Sequence, residues 1–97
     1  MSDLSFEWDP KKNRTNVAKH GVSFEEAETV FTDQFARLMA DPDHSENEDR
    51  FILLGTSIHS RLLVICHCER SSNTIRLISA RKADKAERQI YEEFRDA

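Results

Sequence analysis

The chain has 97 residues, of which 38% are hydrophobic and 33% are charged. This length and balance suit one modest core, so we predict a single domain over residues 1–97. The first residues, MSDLSFEWD, are acidic and lack the apolar run of a signal peptide. No stretch approaches the ~18–20 apolar residues of a membrane span. We therefore expect a cytoplasmic protein that does not contact membranes.

The net charge of −4 conceals a separation of charge along the chain. Residues 10–22, PKKNRTNVAKHGV, contain four Lys or Arg residues and no acid, and residues 70–88 are also mostly basic. Residues 41–50 hold five acids and one base. This pattern predicts a local positive patch on an acidic protein, although it also fits charged faces turned to solvent.

The first elements are a short strand and a basic helix. Residues 6–8 alternate like an edge strand. Asp9 and Pro10 then predict a helix over about residues 10–20, because aspartate caps the first helix amides and proline fits the first helical position. Gly21 predicts its end. This helix must be largely exposed or covered by a partner, since its main apolar residues are Val17 and Ala18.

Two further helices are predicted from caps and periodicity. Ser23 and Glu26 have the spacing of a capping box, which predicts a helix over about residues 24–32. Its core residues, at helical spacing, are Phe24, Ala27, Val30 and Phe31. A final helix is predicted over about residues 83–95, with inward residues Ala83, Ala86, Ile90 and Phe94.

Between these helices the hydrophobic period changes to two, which is typical of strands. The predicted strands are residues 35–40, 51–56, 61–68 and 74–80. Short connections between the last three indicate antiparallel hairpins. The order β-α-α-β-β-β-β-α predicts an α+β fold of two layers, with the helices packed on a mainly antiparallel sheet.

The sequence predicts neither a metal site nor a cofactor. Cys66 and Cys68 lie on one side of a strand, too close in sequence for an unstrained disulfide, and are interpreted as buried thiols. His67 points to the other side and no second ligand pair exists. Residues 41–52 resemble a calcium loop, but Glu46 and Ile52 replace the required glycine and glutamate, so an exposed acidic loop is expected.

Arg81 is the best candidate for holding a phosphate, because it stands where a strand passes into a helix. The alternative is an ion pair with an acid such as Glu92 or Asp9. Arg76, five positions earlier, is interpreted as an exposed strand arginine. It should point to the opposite face from Arg81 unless the strand twists or bulges.

Two other residues have two interpretations each. His20 either compensates the C-terminal end of its helix or contributes to catalysis or RNA contact. Tyr91 is either a half-buried core tyrosine or part of a site. From the residues alone, we predict an anion site formed by Lys12, Lys19, His20 and Arg81.

Several stretches resemble the BrnT-type toxins of bacterial type II toxin–antitoxin systems. They are FEWDPKKNRTNVAKHGVSFEEAETVF, HSENEDRFILLGTS, RLLVICHCER and IRLISARKADKAERQIYEE. The pattern W-D-x-x-K-x-x-x-N-x-x-K-H-G-V-S-F-E-x-A is long and specific, and the resemblance covers about residues 6–93. One departure is Ser60, where the family is expected to have glycine in a turn.

The resemblance implies a RelE-like ribonuclease fold and RNA cleavage without metal or cofactor. It also implies a BrnA-type antitoxin as partner in a hetero-oligomer. The N-terminal part of such an antitoxin folds with the toxin, and its ribbon-helix-helix part binds operator DNA, so the toxin reaches DNA only through the antitoxin. The alternative reading is a weakly catalytic or non-catalytic co-repressor subunit.

The residues expected to act in catalysis are Arg81, His20, Lys12 and Tyr91. Those expected to bind RNA are Lys19, Arg61, Arg76 and Lys82. Cleavage by attack of the ribose 2′-hydroxyl needs a base, cations on the non-bridging phosphate oxygens and an acid for the leaving oxygen. Arginine and lysine fit the second need, His20 or Tyr91 could donate the proton, and a lysine with a lowered pKa could serve as the base.

Overall fold

The computed structural model describes residues 4–41 and 50–97. Its strands are β1 Ser5–Glu7, β2 Arg37–Ala40, β3 Arg50–Thr56, β4 Leu62–Ser71 and β5 Thr74–Lys82. Its helices are α1 Pro10–His20, α2 Phe24–Thr29 and α3 Lys85–Arg95, with a short 3₁₀ helix, Val30–Thr32, directly after α2. The element order is as predicted. The acidic stretch 42–49, with the rejected calcium loop, lies outside the described residues.

The five strands form one sheet in the order β1-β5-β4-β3-β2. The pairs β2–β3, β3–β4 and β4–β5 are antiparallel, and only β1 runs parallel to its neighbour β5 among the described strands. The predicted α+β class with a mainly antiparallel sheet is therefore confirmed. Short connections join β4 to β3 and to β5, and they produce the two hairpins on either side of β4.

Helices cover both faces of this sheet. On one face, Leu63 and Ile65 of β4 join a core with Phe24 and Ala27 of α2. On the other face, the alternate β4 residues, including Leu62, pack against Tyr91 of α3. The prediction of two layers is corrected in this respect. The reason is visible in β4, because a continuous apolar run needs cover on both faces.

A buried asparagine attaches α1 to the sheet. Asn16 Nδ2 donates to the Ala80 carbonyl oxygen (2.7 Å), and the Ala80 amide donates to Asn16 Oδ1 (3.1 Å). Beyond the end of β1, the Asn16 side-chain amide thus forms the hydrogen bonds with β5 that a neighbouring strand would form. Val17, one of the few apolar residues of α1, is 44% exposed, which agrees with the expectation of a largely exposed helix. The predicted ends of α1 are confirmed by the Asp9 cap and by Gly21, at φ 70°.

The inward face of α3 differs from the prediction. Ile90 and Phe94 are 42% and 48% exposed, whereas Tyr91 is buried at 4%. The prediction that Ile90 and Phe94 point inward is therefore wrong. Tyr91 packs on Leu62 and Val64, and its hydroxyl group forms a hydrogen bond inside the protein. An inward face assigned from the spacing of apolar residues does not anticipate a buried tyrosine of this kind.

A bulge in β5 changes the faces of its arginines. Cys66 pairs with Ser79, but the next β4 residue pairs with Leu77, so Ile78 is an extra residue in β5. Because one inserted residue reverses the alternation, Arg76 and Arg81 leave β5 on the same face. The strand is therefore bulged, which is the condition under which the two arginines were expected to share a face.

The turn between β3 and β4 contains Ser60 at φ 61°, in the left-handed region that favours glycine. We expect Ser60→Gly to stabilise the protein by about 0.5–1 kcal/mol, because relief of this strain exceeds the entropy gained by the unfolded chain. Thermal unfolding should show a Tm a few degrees higher. Ser71→Gly, at the end of β4, is the control and should not raise the Tm. An unchanged Tm for Ser60→Gly would contradict the expectation.

Candidate functional site

The basic residues of α1 surround its contact with β5. Lys12, Lys19 and His20 lie four before, three after and four after Asn16, so they share its side of the helix. Lys12 and Lys19 are exposed. Within residues 4–41 and 50–97, neither lysine is within ion-pair distance of a carboxylate. Their charges are therefore available to an anion near the end of β5.

Arg81 and Lys82 leave the end of β5 on opposite faces. Lys82 pairs with Leu63, which belongs to the core beneath α2. Arg81 pairs with Val64, which belongs to the core beneath α3. These two predicted cations therefore lie on opposite faces of the sheet at the end of β5.

Arg81 forms a two-pronged ion pair with Glu87 at the start of α3. Its Nη1 and Nη2 atoms lie 2.8 and 2.7 Å from Glu87 Oε1 and Oε2. The hydrogen bonds from Arg81 lower the pKa of Glu87, despite the partial burial of the carboxylate. An acidic partner was expected at Glu92 or Asp9, and the structure supplies Glu87 instead. Glu87 was not among the residues predicted from the sequence, although its place in the first turn of a helix next to Arg81 is a usable signal.

Arg61 forms a second such pair, with the buried Glu26 of α2. Its Nε donates to Glu26 Oε2 (2.9 Å) and its Nη2 donates to Glu26 Oε1 and to the Gly21 carbonyl oxygen (3.0 Å). Ser57 Oγ adds a hydrogen bond to Glu26 Oε2 (2.6 Å). These bonds, chiefly those from Arg61, lower the pKa of Glu26 to about 2. Arg61, expected to bind RNA, is thus held in contacts within the fold.

Arg76 is also paired within the sheet. Its Nη1 lies 3.1 Å from Oε2 of Glu7 on β1, and Arg70 lies 3.8 Å from the same oxygen. The Arg76 side chain remains 35% exposed, so it is partly accessible from solvent. Arg76 was predicted to be an exposed strand arginine, and it is half-exposed with an acidic neighbour.

Tyr91 has its hydroxyl group inside the protein. The hydroxyl donates to Asp33 Oδ2 (2.7 Å) and accepts from Thr56 Oγ1 (3.2 Å). Burial is the main cause of a raised pKa for Tyr91. Of its two interpretations, the structure favours a core tyrosine, and one more buried than expected.

A cavity of about 240 Å³ lies beside Tyr91, between α3 and the turn after β3. It is lined mainly by polar groups: Thr56, Ser60, Leu62, Arg88, Tyr91, Glu92 and Arg95. A larger cavity of about 760 Å³ on the other side of Thr56 is mostly apolar and includes Phe6, Phe31 and Ile58. Neither cavity contains the basic residues of α1.

No metal-binding cluster is found among the described residues. No group of three His, Cys, Asp or Glu side chains converges there. Cys66 and Cys68 form no disulfide, and Cys66 is only half-buried, while His67 packs edge-to-face against Phe31 on the opposite face. None of the helices in residues 4–41 and 50–97 has the length and apolarity needed to cross a bilayer.

The structure is that of a small α+β protein with basic residues around the C-terminal end of β5. The crystal structure of the Brucella abortus ribonuclease toxin BrnT has this fold, with a TM-score of 0.61 over 88% of this chain and 100% of that one. The two sequences are 23% identical, so this likeness establishes the fold alone. No curated protein sequence matches the chain significantly.

The family model described as "Ribonuclease toxin, BrnT, of type II toxin-antitoxin system" matches residues 8–87. The chain therefore belongs to the BrnT family of ribonuclease toxins. The resemblance noted in the sequence is confirmed by this match. A toxin of a type II system has an antitoxin as its partner.

Proposed function

We propose that the protein cleaves RNA without a metal ion and so inhibits translation. The family description supports ribonuclease activity. The observation that carries the proposal is the set of exposed lysines on α1 near the end of β5, which lack carboxylate partners in the described part of the chain. Phosphate groups are the natural ligands for such a surface.

The expected residues have distinct roles in this proposal. Lys19 and Lys82 attract the RNA backbone, whereas Lys12 and His20 act in catalysis, His20 as a proton donor. Arg81 holds the reacting phosphate, because a guanidinium can contact two of its oxygens at once. Three further residues stay in the proposal with weaker support, since each already has a partner within the fold: Arg61, Arg76 and Tyr91.

The partner in the proposal is a BrnA-type antitoxin. Its N-terminal part covers the basic face of α1, which buries few apolar groups of its own, and thereby blocks RNA. Its ribbon-helix-helix part binds operator DNA, so the hetero-oligomer represses transcription while the toxin itself does not contact DNA. The proposed site of action is the cytoplasm, where RNA is translated.

Replacing Lys12 and Lys19 together by glutamate should weaken RNA binding at least tenfold. The reason is the loss of two phosphate contacts, which should also reduce the slope of log affinity against log salt by about 2. Fluorescence anisotropy of a labelled RNA at several salt concentrations measures both quantities. The control is Lys85→Glu with Arg70→Glu, which makes the same charge change elsewhere. Equal losses in the two double variants would mean that only net charge matters.

One observation favours the alternative of a non-catalytic co-repressor. Both Nη atoms of Arg81 are occupied by Glu87, and the Tyr91 proton is held by Asp33. A protein used only to hold an antitoxin could keep these groups paired. Incubation of purified protein with RNA in the presence of EDTA decides the matter, because only the ribonuclease proposal predicts fragments.

A further inference from the structure

Two arginine–glutamate pairs in this protein differ in how far solvent can reach them. In the pair of Arg61 with Glu26, the carboxylate is 7% exposed and also accepts from Ser57. In the pair of Arg81 with Glu87, the side chains are 43% and 24% exposed. The Arg61 side chain is 33% exposed, so it is the carboxylate of the first pair that solvent does not reach, whereas a ligand can approach both side chains of the second pair.

Glu87 is held firmly but has accepting capacity left. Its Oε1 accepts from Arg81 Nη1 and from the Asp84 amide (2.9 Å). Its Oε2 accepts from Arg81 Nη2 alone among the described residues, so a lone pair remains on that oxygen. The capping box at the start of α3 fixes the backbone from which this side chain projects.

We propose that Glu87 is the general base of RNA cleavage and that Arg81 is the phosphate ligand beside it. This inference rests on the proposed ribonuclease function and assigns the base that the function requires. The geometry that supports it is the contact between the two side chains. A phosphate held by Arg81 brings the 2′-hydroxyl of the same linkage within a few ångströms of the carboxylate.

The step balances with water as the only further reactant. Glu87 accepts the proton of the 2′-hydroxyl as the O2′–P bond forms. The bond from phosphorus to the 5′-oxygen breaks, and this oxygen takes a proton from His20, which recovers one from solvent water. The products are a 2′,3′-cyclic phosphate and a free 5′-hydroxyl end, and Glu87 returns its proton to solvent.

Phosphate binding also prepares the base. Without RNA, the hydrogen bonds from Arg81 keep Glu87 ionised and weakly basic. When Arg81 turns toward a phosphate, those bonds weaken and the carboxylate becomes more basic. The ion pair therefore keeps Glu87 in the form that can accept a proton until substrate arrives.

The test compares Glu87→Gln, Glu87→Asp and Asp84→Ala with the unchanged protein. Glu87→Gln should lower the rate of cleavage of a labelled RNA by about 10²–10⁴-fold and remove the fall in rate at acidic pH. Its affinity for 2′-O-methyl RNA, which cannot be cleaved, should be unchanged or higher, because the carboxylate no longer competes for Arg81. Glu87→Asp keeps a carboxylate and should retain part of the rate.

Asp84→Ala is the matched control, because it removes the other half of the capping box and leaves both side chains of the pair. It should lower the Tm at least as much as Glu87→Gln but lower the rate less than tenfold below that Tm, because the carboxylate and the guanidinium both remain. Cleavage by Glu87→Gln at the normal rate overturns the assignment while leaving the ribonuclease function standing. Failure of the unchanged protein to cleave RNA overturns the function and the assignment together.

Discussion

Arg81→Ala should reduce RNA cleavage by about 10²–10³-fold, the usual loss when one donor to a developing anion is removed. The guanidinium offers two parallel N–H groups to phosphate oxygens, and alanine offers none. The fold should persist. Since the Arg81 side chain is 43% exposed, its ion pair with Glu87 contributes at most about 1 kcal/mol to stability.

Cleavage and thermal unfolding should be measured on the same preparations. Arg81→Lys is the companion variant and should recover only part of the rate, because an ammonium group cannot form the two-pronged contact. Arg70→Ala, which removes an exposed arginine from β4, is the control and should leave the rate unchanged. A folded Arg81→Ala protein with full activity would show that Arg81 serves only as the partner of Glu87.

Arg61→Ala should cause the largest loss of stability, about 3–5 kcal/mol. It leaves the Glu26 carboxylate, which is 7% exposed, without its cation. For a domain of this size the Tm should fall by more than about 10 °C. Arg70→Ala is again the matched control, because its ion pair with Glu7 is long and exposed, and it should change stability by less than about 0.5 kcal/mol.

The ion pair of Arg61 with Glu26 also makes the free energy of unfolding depend on pH. The pKa of Glu26 falls from 4.5 in the unfolded chain to about 2 in the fold. The stabilisation is therefore complete above pH 4.5 and is lost as the pH falls toward 2, with a total of roughly 3 kcal/mol. Unfolding by denaturant from pH 6 to pH 2 measures it. Glu26→Gln lacks this titration and should show a correspondingly shallower decline.

These results also test the expectation that Arg61 binds RNA. If Arg61→Ala were as stable as Arg70→Ala but bound RNA much more weakly, Arg61 would act on RNA and its contacts with Glu26 would be incidental. A large fall in Tm with normal RNA affinity at low temperature would instead make Arg61 a structural residue.

Elements whose signals are local were predicted well. The helix α1 begins after Asp9 and ends at Gly21 as expected, because caps depend on neighbours within a few residues. The hairpins on either side of β4 depend on short turns and alternating residues. Ser60 was noted as a departure from glycine, and its positive φ gives the reason.

Features that depend on partners distant in sequence were predicted less well. The inward face of α3 was assigned from apolar spacing, but the hydroxyl of Tyr91 is satisfied by Asp33, 58 positions away. Asn16 is similarly buried because it meets the edge of β5 at Ala80. Polar burial of this kind requires a complementary group, and residue type alone does not show where that group will be.

The sequence by itself determined the α+β class, the ends of α1 and the family, because caps, hydrophobic period and an ordered motif are all carried by nearby residues. The tertiary structure decided which charges remain available. Arg61 is held by the buried carboxylate of Glu26, whereas Arg81 meets Glu87 at a more open surface, and the bulge in β5 puts Arg81 on the same face as Arg76. Charge, register and burial at such sites depend on elements that meet only when the chain has folded.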